Sequence, residues 1–318
     1  KCVLYDGDSE VSVGGDMVIF KIGEKREFDT YFLSYIFNSE FFQYQKSANS
    51  RGEIVVHVYE RQLRDMRFTI PPLPEQKQIS DYLDRKTQQI DDLIEKTERK
   101  IELLKEQRSS LINQCVTKGL DPNVEMKDSG VEWIGEIPKG WFVNKLKYSS
   151  DLIIEKELPS DGDIKISPEN VESFTGKVLN YHSDYETEGM KFQKGDTLLN
   201  KLRVYLSKFV FCESDGFSMG EMIVLRPREY LPKFQYYLLS SPDLISYFNS
   251  LSQGVKVPRP PVDSMLDSFC PVMSLSEQKQ ISDYLDKETS KIDQMIDTET
   301  KRIDLLKEYR QSLISNVV

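Results

Sequence analysis

One segment of this chain occurs twice, and this duplication constrains the fold more than any other feature. Residues 75–84 (EQKQISDYLD) return unchanged at 277–286, an offset of 202, and 24 of the 42 positions in 75–116 are identical to those in 277–318. An internal repeat of this kind indicates that one structural unit is built twice. Neither copy contains glycine or proline, and each follows a turn-like stretch, so each is expected to begin a helix there.

Both copies have the spacing of a helix that packs along a partner helix, with apolar residues at heptad-like intervals and charged residues elsewhere. The seam comprises Leu83, Ile90, Ile94, Ile101, Leu104 and Leu111 in the first copy, and Leu285, Ile292, Ile296, Ile303, Leu306, Leu313 and Val317 in the second. Polar residues interrupt it at matching places, Thr97 with Glu299 and Arg108 with Arg310. The pattern predicts two helices of roughly 60 Å that pack on each other and relate two modules by a pseudo-twofold axis.

The same offset applies upstream of the helices, where Phe32 matches Phe234 and Tyr35 matches Tyr237. Residues 1–74 are therefore interpreted as the C-terminal part of a module whose complete form is 119–276, with spacer helices at 75–118 and 277–318. The sequence leaves open whether the start at Lys1 is natural. The predicted fold is α+β: two globular modules, the first incomplete, joined by two long antiparallel coiled-coil helices in a pseudo-twofold internal repeat.

Within the modules, short apolar runs bounded by turn residues predict strands. Strands are expected near 1–5, 17–20, 54–58, 165–167, 197–200, 208–211 and 222–225, and helices near 31–42, 233–239 and 242–248. Trp133 and Trp141 are expected to pack the second module onto the base of a long helix. The aromatic residues of 230–248 have helical spacing, which favours core packing over base stacking.

Composition excludes several classes of protein. The four cysteines lie far apart without CxxC spacing and only two histidines are present, which argues against a zinc cluster and favours reduced thiols in a cytoplasm. No apolar run approaches the length of a membrane span. The net charge of −10 argues against coating nucleic acid through the overall field, but it permits a local basic face.

Two motifs flank the modules. Residues 129–138 (SGVEWIGEIP) precede the second module, and residues 72–79 (PLPEQKQI) follow the first. Together with the duplication, they resemble the DNA-specificity (S) subunit of Type I restriction–modification systems over essentially the whole chain. One departure is that the first module lacks a counterpart of the Trp133 motif.

The resemblance implies a function. Each module would be a target-recognition domain that reads one half of a split double-stranded DNA target. The two antiparallel helices would set the unread spacer, at about 34 Å per DNA turn, and would offer docking surfaces to two modification (methyltransferase) subunits, which restriction subunits then join. The family's specificity subunit is not itself catalytic. Accordingly, the sequence has no glycine-rich S-adenosylmethionine loop, Asn-Pro-Pro-Tyr-like motif or phosphate loop, and no cofactor is expected.

The residue types that contact phosphates and base edges suggest where DNA would bind. The first candidate is a basic stretch comprising Lys191, Lys194, Lys201, Arg203, Tyr205 and Lys208. The second is a loop comprising Ser252, Gln253 and Lys256, matched in the first module by Ser50 and Arg51. Its polar middle residue differs between the copies, as expected of one scaffold with two specificities. Without the resemblance, the first segment would be interpreted as a solvated strand–turn–strand, and for the second a simple turn before a strand would be an equal alternative.

Two alternatives remain open at this point. The chain could be a coiled-coil structural adaptor without DNA binding. A truncated form could also self-associate and so rebuild two complete modules around a symmetric target.

Overall fold

The computed structural model describes residues 28–49, 63, 65–181, 185–254 and 256–318, together with positions 2, 4, 5, 12, 17 and 19. The chain divides into two compact units, one formed by Lys1–Glu102 with Met295–Val318 and the other by Leu103–Gln294. The two long helices are α3 (Leu73–Lys118) and α8 (Leu275–Val317), and each helix contributes one part to the first unit and the other part to the second. Both helices therefore form as predicted, each beginning two residues earlier than expected.

The regular elements described in the first unit are helices. They are α1 (Thr30–Asn38), α2 (Glu40–Asn49), the N-terminal part of α3 and the C-terminal part of α8. The Asp29 side chain caps α1 by accepting a hydrogen bond from the Phe32 amide at 2.9 Å, which satisfies one otherwise unpaired helical N–H group. The core of this unit comprises Phe32, Ile36, Phe42 and Met66.

A single helix was expected over 31–42, but the structure breaks it at Ser39. The Ser39 backbone is extended there, its hydroxyl donates to the Ile36 carbonyl at 2.7 Å, and its amide bonds the same carbonyl. The hydroxyl also accepts from the Phe42 amide at 3.3 Å, so Ser39 closes α1 and caps α2. The strand predicted at 54–58 lies wholly outside the described residues. Of those predicted at 1–5 and 17–20, the described positions are 2, 4, 5, 17 and 19, and none of these is in a strand.

The second unit contains the sheets. Its strands are β1 (Met126–Asp128), β2 (Glu136–Pro138), β3 (Phe142–Lys145), β4 (Ser150–Ile153), β5 (Lys156–Glu157), β6 (Lys165–Ile166), β7 (Gly189–Phe192), β8 (Thr197–Asn200), β9 (Phe209–Phe211), β10 (Gly216–Ser218), β11 (Met222–Pro227) and β12 (Phe269–Val272). Its shorter helices are α4 (Leu146–Ser149), α5 (Pro232–Leu239), α6 (Pro242–Ser250) and α7 (Val262–Leu266). The strands and helices predicted within 165–248 are all present, with ends shifted by at most two residues.

The described strands of this unit form two four-stranded sheets and two strand pairs. One sheet has the order β4-β11-β8-β9 and is antiparallel throughout; the other has the order β5-β7-β10-β6, in which only β10 and β6 are parallel. Met222 and Val224 face one hydrophobic cluster, and Ile223 and Leu225 face the other. This period of two is why β11 is apolar along its length, since both of its faces are covered.

The long helices are antiparallel within each unit. In the first unit, Asp91 of α3 pairs with Arg310 of α8, and Lys100 pairs with Glu299, so positions rise along one helix as they fall along the other. In the second unit, Arg108 of α3 pairs with Asp293 of α8 at 2.9 Å. The buried seam residues include most of those predicted: Leu83, Ile90, Ile101, Leu104, Leu285, Ile292 and Ile303.

The internal repeat is visible in the contacts of each unit. The buried Gln76 side chain accepts from the Asp29 amide at 2.8 Å and donates to the Pro71 carbonyl at 2.8 Å. In the second unit, Gln278 accepts from the Leu231 amide at 2.7 Å and donates to the Met273 carbonyl at 3.2 Å, and all three positions are offset by 202. The repeated sequence therefore forms the same hydrogen bonds twice, which confirms the predicted fold class.

Two further expectations concern the state of the cysteines and the presence of membrane-spanning helices. All four cysteines are free thiols in the structure. Within the described residues, no helix has both the length and the apolar character that crossing a bilayer requires.

Candidate nucleic-acid interface

The loop between β8 and β9, residues 201–208, contains four of the predicted DNA-binding residues. Its centre is a 3₁₀ turn, Val204–Leu206, flanked by Arg203 and Ser207 in left-handed backbone conformations (φ 51° and 52°). The Asn200 side chain braces the start of the loop by accepting from the Leu202 amide at 3.1 Å and donating to its carbonyl at 2.8 Å. Left-handed φ is costly for residues other than glycine and is often found at binding sites. Arg203 and Tyr205 are exposed on this turn.

The second predicted segment lies against the first. The Arg203 amide donates to the Pro258 carbonyl at 3.0 Å, and Gln253 and Arg259 exchange two backbone hydrogen bonds of 3.0 and 3.2 Å. Gln253 and Lys256 are exposed. We call residues 201–208 and 252–259 the loop pair. The structure thus brings together two segments that the sequence analysis selected independently.

The loop pair has a net positive charge. Neither segment contains Asp or Glu. Glu221, which precedes β11, is the carboxylate that pairs with it, at 3.2 Å from Lys201 and 3.0 Å from Arg259. Such half-exposed ion pairs contribute little to stability, so their main effect is to orient the two cations. Arg259 was not selected from the sequence, although its position between two prolines marks a rigid turn.

The remaining predicted residues are more dispersed. Lys191 lies on β7 and pairs with Glu157 at 2.9 Å, and Lys194 precedes β8 at the end opposite Lys201. The Lys208 ammonium donates to the Pro168 carbonyl at 2.6 Å, and the Ser252 hydroxyl oxygen is buried. Strand β8 separates Lys194 from the loop pair, so the basic stretch does not form one continuous surface. Ser50 and Arg51 lie outside the described residues.

A buried ion pair supports the sheet that carries these loops. Arg226 on β11 makes two hydrogen bonds to Asp196, of 2.9 and 2.8 Å, and the Asp196 side chain is only 2% exposed. The bond to Asp196 raises the pKa of Arg226. A bidentate pair fixes geometry as well as charge, and it stabilises the turn that precedes β8.

Of the two tryptophans, Trp141 contacts a long helix as predicted, whereas Trp133 contacts Phe269 of β12 and Tyr247 of α6. Trp141 is buried, and its indole donates to Glu277 in the first turn of α8 at 3.0 Å. Burial raises the pKa of Glu277, but hydrogen bonds from Trp141 and Ser274 outweigh it and lower the pKa overall. Trp133 donates to the Phe269 carbonyl at 3.1 Å. Of the aromatic residues in 230–248, the buried ones are Tyr230, Phe234, Tyr236, Tyr237 and Phe248, which agrees with the core packing expected.

The described residues contain no cluster of three or more His, Cys, Asp or Glu side chains that could hold a metal ion. What they present is a fold with a duplicated long helix and a basic loop pair.

Comparisons with known proteins show which proteins the chain resembles. Residues 5–103 match the profile described as Type I restriction modification DNA specificity domain. The chain is 26% identical over 210 residues to the Type I restriction enzyme MjaVIII specificity subunit of Methanocaldococcus jannaschii, covering 66% of this chain and 39% of that protein. It is 25% identical over 293 residues to the putative MjaX specificity subunit of the same organism, covering 83% and 65%, and 21% identical over 198 residues to the EcoDI specificity subunit of Escherichia coli, covering 55% and 44%.

Solved structures share the fold. A chain from a structure on complex assembly and conformational transition of the type I R-M system superposes with a TM-score of 0.69 at 16% identity, covering 91% of this chain and 70% of that one. The HsdS subunit from Thermoanaerobacter tengcongensis gives 0.50 at 15% identity, covering 92% and 70%. Residues 5–103 thus carry a Type I restriction modification DNA specificity domain, and the chain is similar to specificity subunits of such systems, the class that its duplicated motifs resemble. It spans between about two fifths and two thirds of the length of these curated relatives.

Proposed function

We propose that this chain recognises a bipartite double-stranded DNA target and carries two methyltransferase subunits, to which restriction subunits are added. In this proposal the chain is not catalytic, requires no cofactor, and acts in the cytoplasm. The observation that carries the proposal is the duplication: each unit forms the same hydrogen bonds between a long helix and a globular helix. Two similar but non-identical modules would read two different half-sites.

The loop pair supplies the DNA contacts of the second module. Arg203 and Lys256 are exposed cations on loops without acidic residues, and Lys201 and Arg259 flank a single glutamate. Arginine and lysine bind phosphates and guanine edges, and glutamine binds adenine edges, so Gln253 and Tyr205 complete a surface suited to a groove. Lys191, Lys194 and Lys208 would serve as peripheral phosphate contacts, and Ser50 and Arg51 would be the counterparts in the first module. Ser252 would support the loop.

The exposed faces of α3 and α8 are the proposed docking surfaces for the methyltransferase subunits. Charged residues cover the helix surfaces away from the seam, and exposed apolar residues such as Leu103, Met295 and Leu305 lie among them. A mixed apolar and charged face is typical of protein interfaces.

Duplex binding by the chain together with its methyltransferase partner tests the proposal. The target should first be obtained by single-molecule methylome sequencing of cells that carry the operon. Specific binding should weaken steeply with salt, with a log–log slope of about −0.9 for each phosphate contact. A coiled-coil adaptor would show neither a methylated target sequence nor salt-dependent duplex binding. Mass measurement in solution would separate a monomeric chain from a self-associated pair.

A further inference from the structure

A hairpin preceding β7 is anchored between the helix pair and the loop pair of the second unit. Residues Val171 and Val178 form a β-bridge, and the tip of the hairpin is residues 173–176. Phe174 on this tip has a left-handed backbone (φ 67°). Among the described residues, the non-glycine residues with left-handed φ are Phe174, Arg203 and Ser207, and hydrogen bonding connects them.

The backbone of Phe174 bonds on both sides. Its amide donates to the Ser207 carbonyl at 2.9 Å, and Ser207 in turn closes the 3₁₀ turn by donating to the Val204 carbonyl at 2.9 Å. The Phe174 carbonyl accepts from Nη1 of Arg108 at 3.4 Å, a long hydrogen bond. Nε of Arg108 donates to Asp293 of α8 at 2.9 Å. A continuous path of contacts therefore runs from α8 through α3 to the turn that carries Arg203.

The tip is closely packed. A Cβ atom added at Gly176 would lie 2.8 Å from the Tyr236 hydroxyl oxygen and 2.9 Å from the Phe209 carbonyl oxygen, and its φ of 74° also requires glycine. The Tyr236 hydroxyl donates to the Thr175 carbonyl at 3.4 Å. Burial raises the pKa of Tyr236, and the neighbouring Arg108 guanidinium opposes that rise. The tip is thus seated on Arg108, Tyr236 and the first residue of β9.

We propose that Arg108 is a positioning residue that fixes the 201–208 loop, and with it Arg203, on the helix pair of the second unit. The inference rests on the proposed function, because it concerns how a reading loop is held. Arg108 is only 8% exposed in its side chain, although it interrupts an apolar seam. A buried guanidinium requires several hydrogen-bond partners, and here they include Asp293 of α8 and the Phe174 carbonyl of the hairpin.

The chain contains a matched control. Arg310 occupies the equivalent position of α8 and pairs with Asp91 through two hydrogen bonds of 2.8 and 3.2 Å. Within the described residues, the Arg310 side chain makes no other hydrogen bond. The side chain is 35% exposed. Among the described residues, Arg310 therefore has the helix-pairing contact but no hydrogen bond to a module loop.

The test uses the chain with its methyltransferase subunits and duplexes that carry either the natural target or a spacer lengthened by one base pair. Arg108→Gln should reduce the discrimination between the two duplexes about tenfold, equivalent to about 1.4 kcal/mol, and should speed amide hydrogen exchange in residues 204–207. Arg310→Gln should leave discrimination within about twofold. Arg108→Lys serves if Arg108→Gln does not fold, because lysine keeps a charge for Asp293 but cannot place donors at two separate atoms.

Equal effects of the two glutamine variants on discrimination would overturn the inference, because they would show a helix-pairing role only. A uniform loss of affinity for both duplexes, or unchanged exchange in 204–207, would also overturn it. If the wild-type assembly binds no duplex specifically, the proposed function fails instead. The hydrogen-exchange measurement then still tests whether Arg108 holds the 201–208 loop in place.

Discussion

Tyr237 donates a hydrogen bond from its hydroxyl to Asp286 at 2.6 Å, and Tyr35 donates to Asp84 at the same distance. The two pairs lie 202 positions apart. In each unit a threonine on the long helix lies within 3.3 Å of the tyrosine hydroxyl. Each contact joins a globular helix to a long helix within its own unit, so the repeat holds both modules to their helices by the same chemistry.

Removing this hydroxyl should destabilise the second unit. Tyr237→Phe removes the hydroxyl donor of the Asp286 carboxylate, which keeps Lys233 at 3.6 Å, and hydrogen bonds to charged groups contribute about 1.5–3 kcal/mol. We expect a lower midpoint of thermal unfolding measured by circular dichroism. Tyr309→Phe is the control, since Tyr309 is 57% exposed on α8. Equal midpoints for Tyr237→Phe and wild type would contradict the structural role.

The ion pair in the first unit should make stability depend on acid pH. Lys100 lies 2.5 Å from Glu299 and lowers the pKa of that carboxyl. Because the folded state favours the charged form, the pair stabilises the unit above the ordinary pKa of 4.5 and loses this contribution as pH falls below it. The free energies of unfolding of wild type and Glu299→Gln, measured with denaturant, should therefore differ at neutral pH and converge in acid. A difference that stays constant to low pH would exclude this pair as the cause.

The apolar seam should tolerate charge poorly. Ile303 is 7% exposed, and truncation of such a residue to alanine costs about 2–5 kcal/mol; aspartate adds a buried unpaired charge. Ile303→Asp and its repeat counterpart Ile101→Asp should lower the thermal midpoint of helical unfolding. Leu305→Asp, at a position 64% exposed, should change stability by about 0.5 kcal/mol or less. Unaltered unfolding of Ile303→Asp would show that the helices do not pair through this seam.

Changes in the loop pair should affect DNA binding without affecting the fold. Arg203→Ala should weaken binding and, if Arg203 contacts a phosphate, reduce the salt slope by about one; Gln253→Ala should relax preference within one half-site. Lys139→Ala is the control, because it removes an exposed cation that pairs with Glu125 on another loop. Methylome sequencing of cells carrying each variant provides the measurement. Unchanged methylation at unchanged sites in both variants would remove these residues from the interface.

The candidate site could be predicted only in part. The sequence selected Arg203 and Gln253 because polar and basic residues cluster around them, but it treated their segments as separate candidates. The structure joins them through the Arg203 amide and the Pro258 carbonyl. Glu221 was not selected, because a single carboxylate acquires a role only when distant cations meet it.

The sequence by itself determined the two long helices, their seam, four of the strands within 165–225 and the resemblance to specificity subunits; it missed β7 and β10. These features depend on local periodicity and on a repeat that can be compared position by position. Only the tertiary structure decided what the polar interruptions of the seam do. In the sequence, Arg108 is a single polar residue within a heptad pattern, and its partner Asp293 is 185 positions away. Burial leaves a guanidinium no water to bond, so the fold had to provide its partners, and these include the hairpin that holds the reading loop.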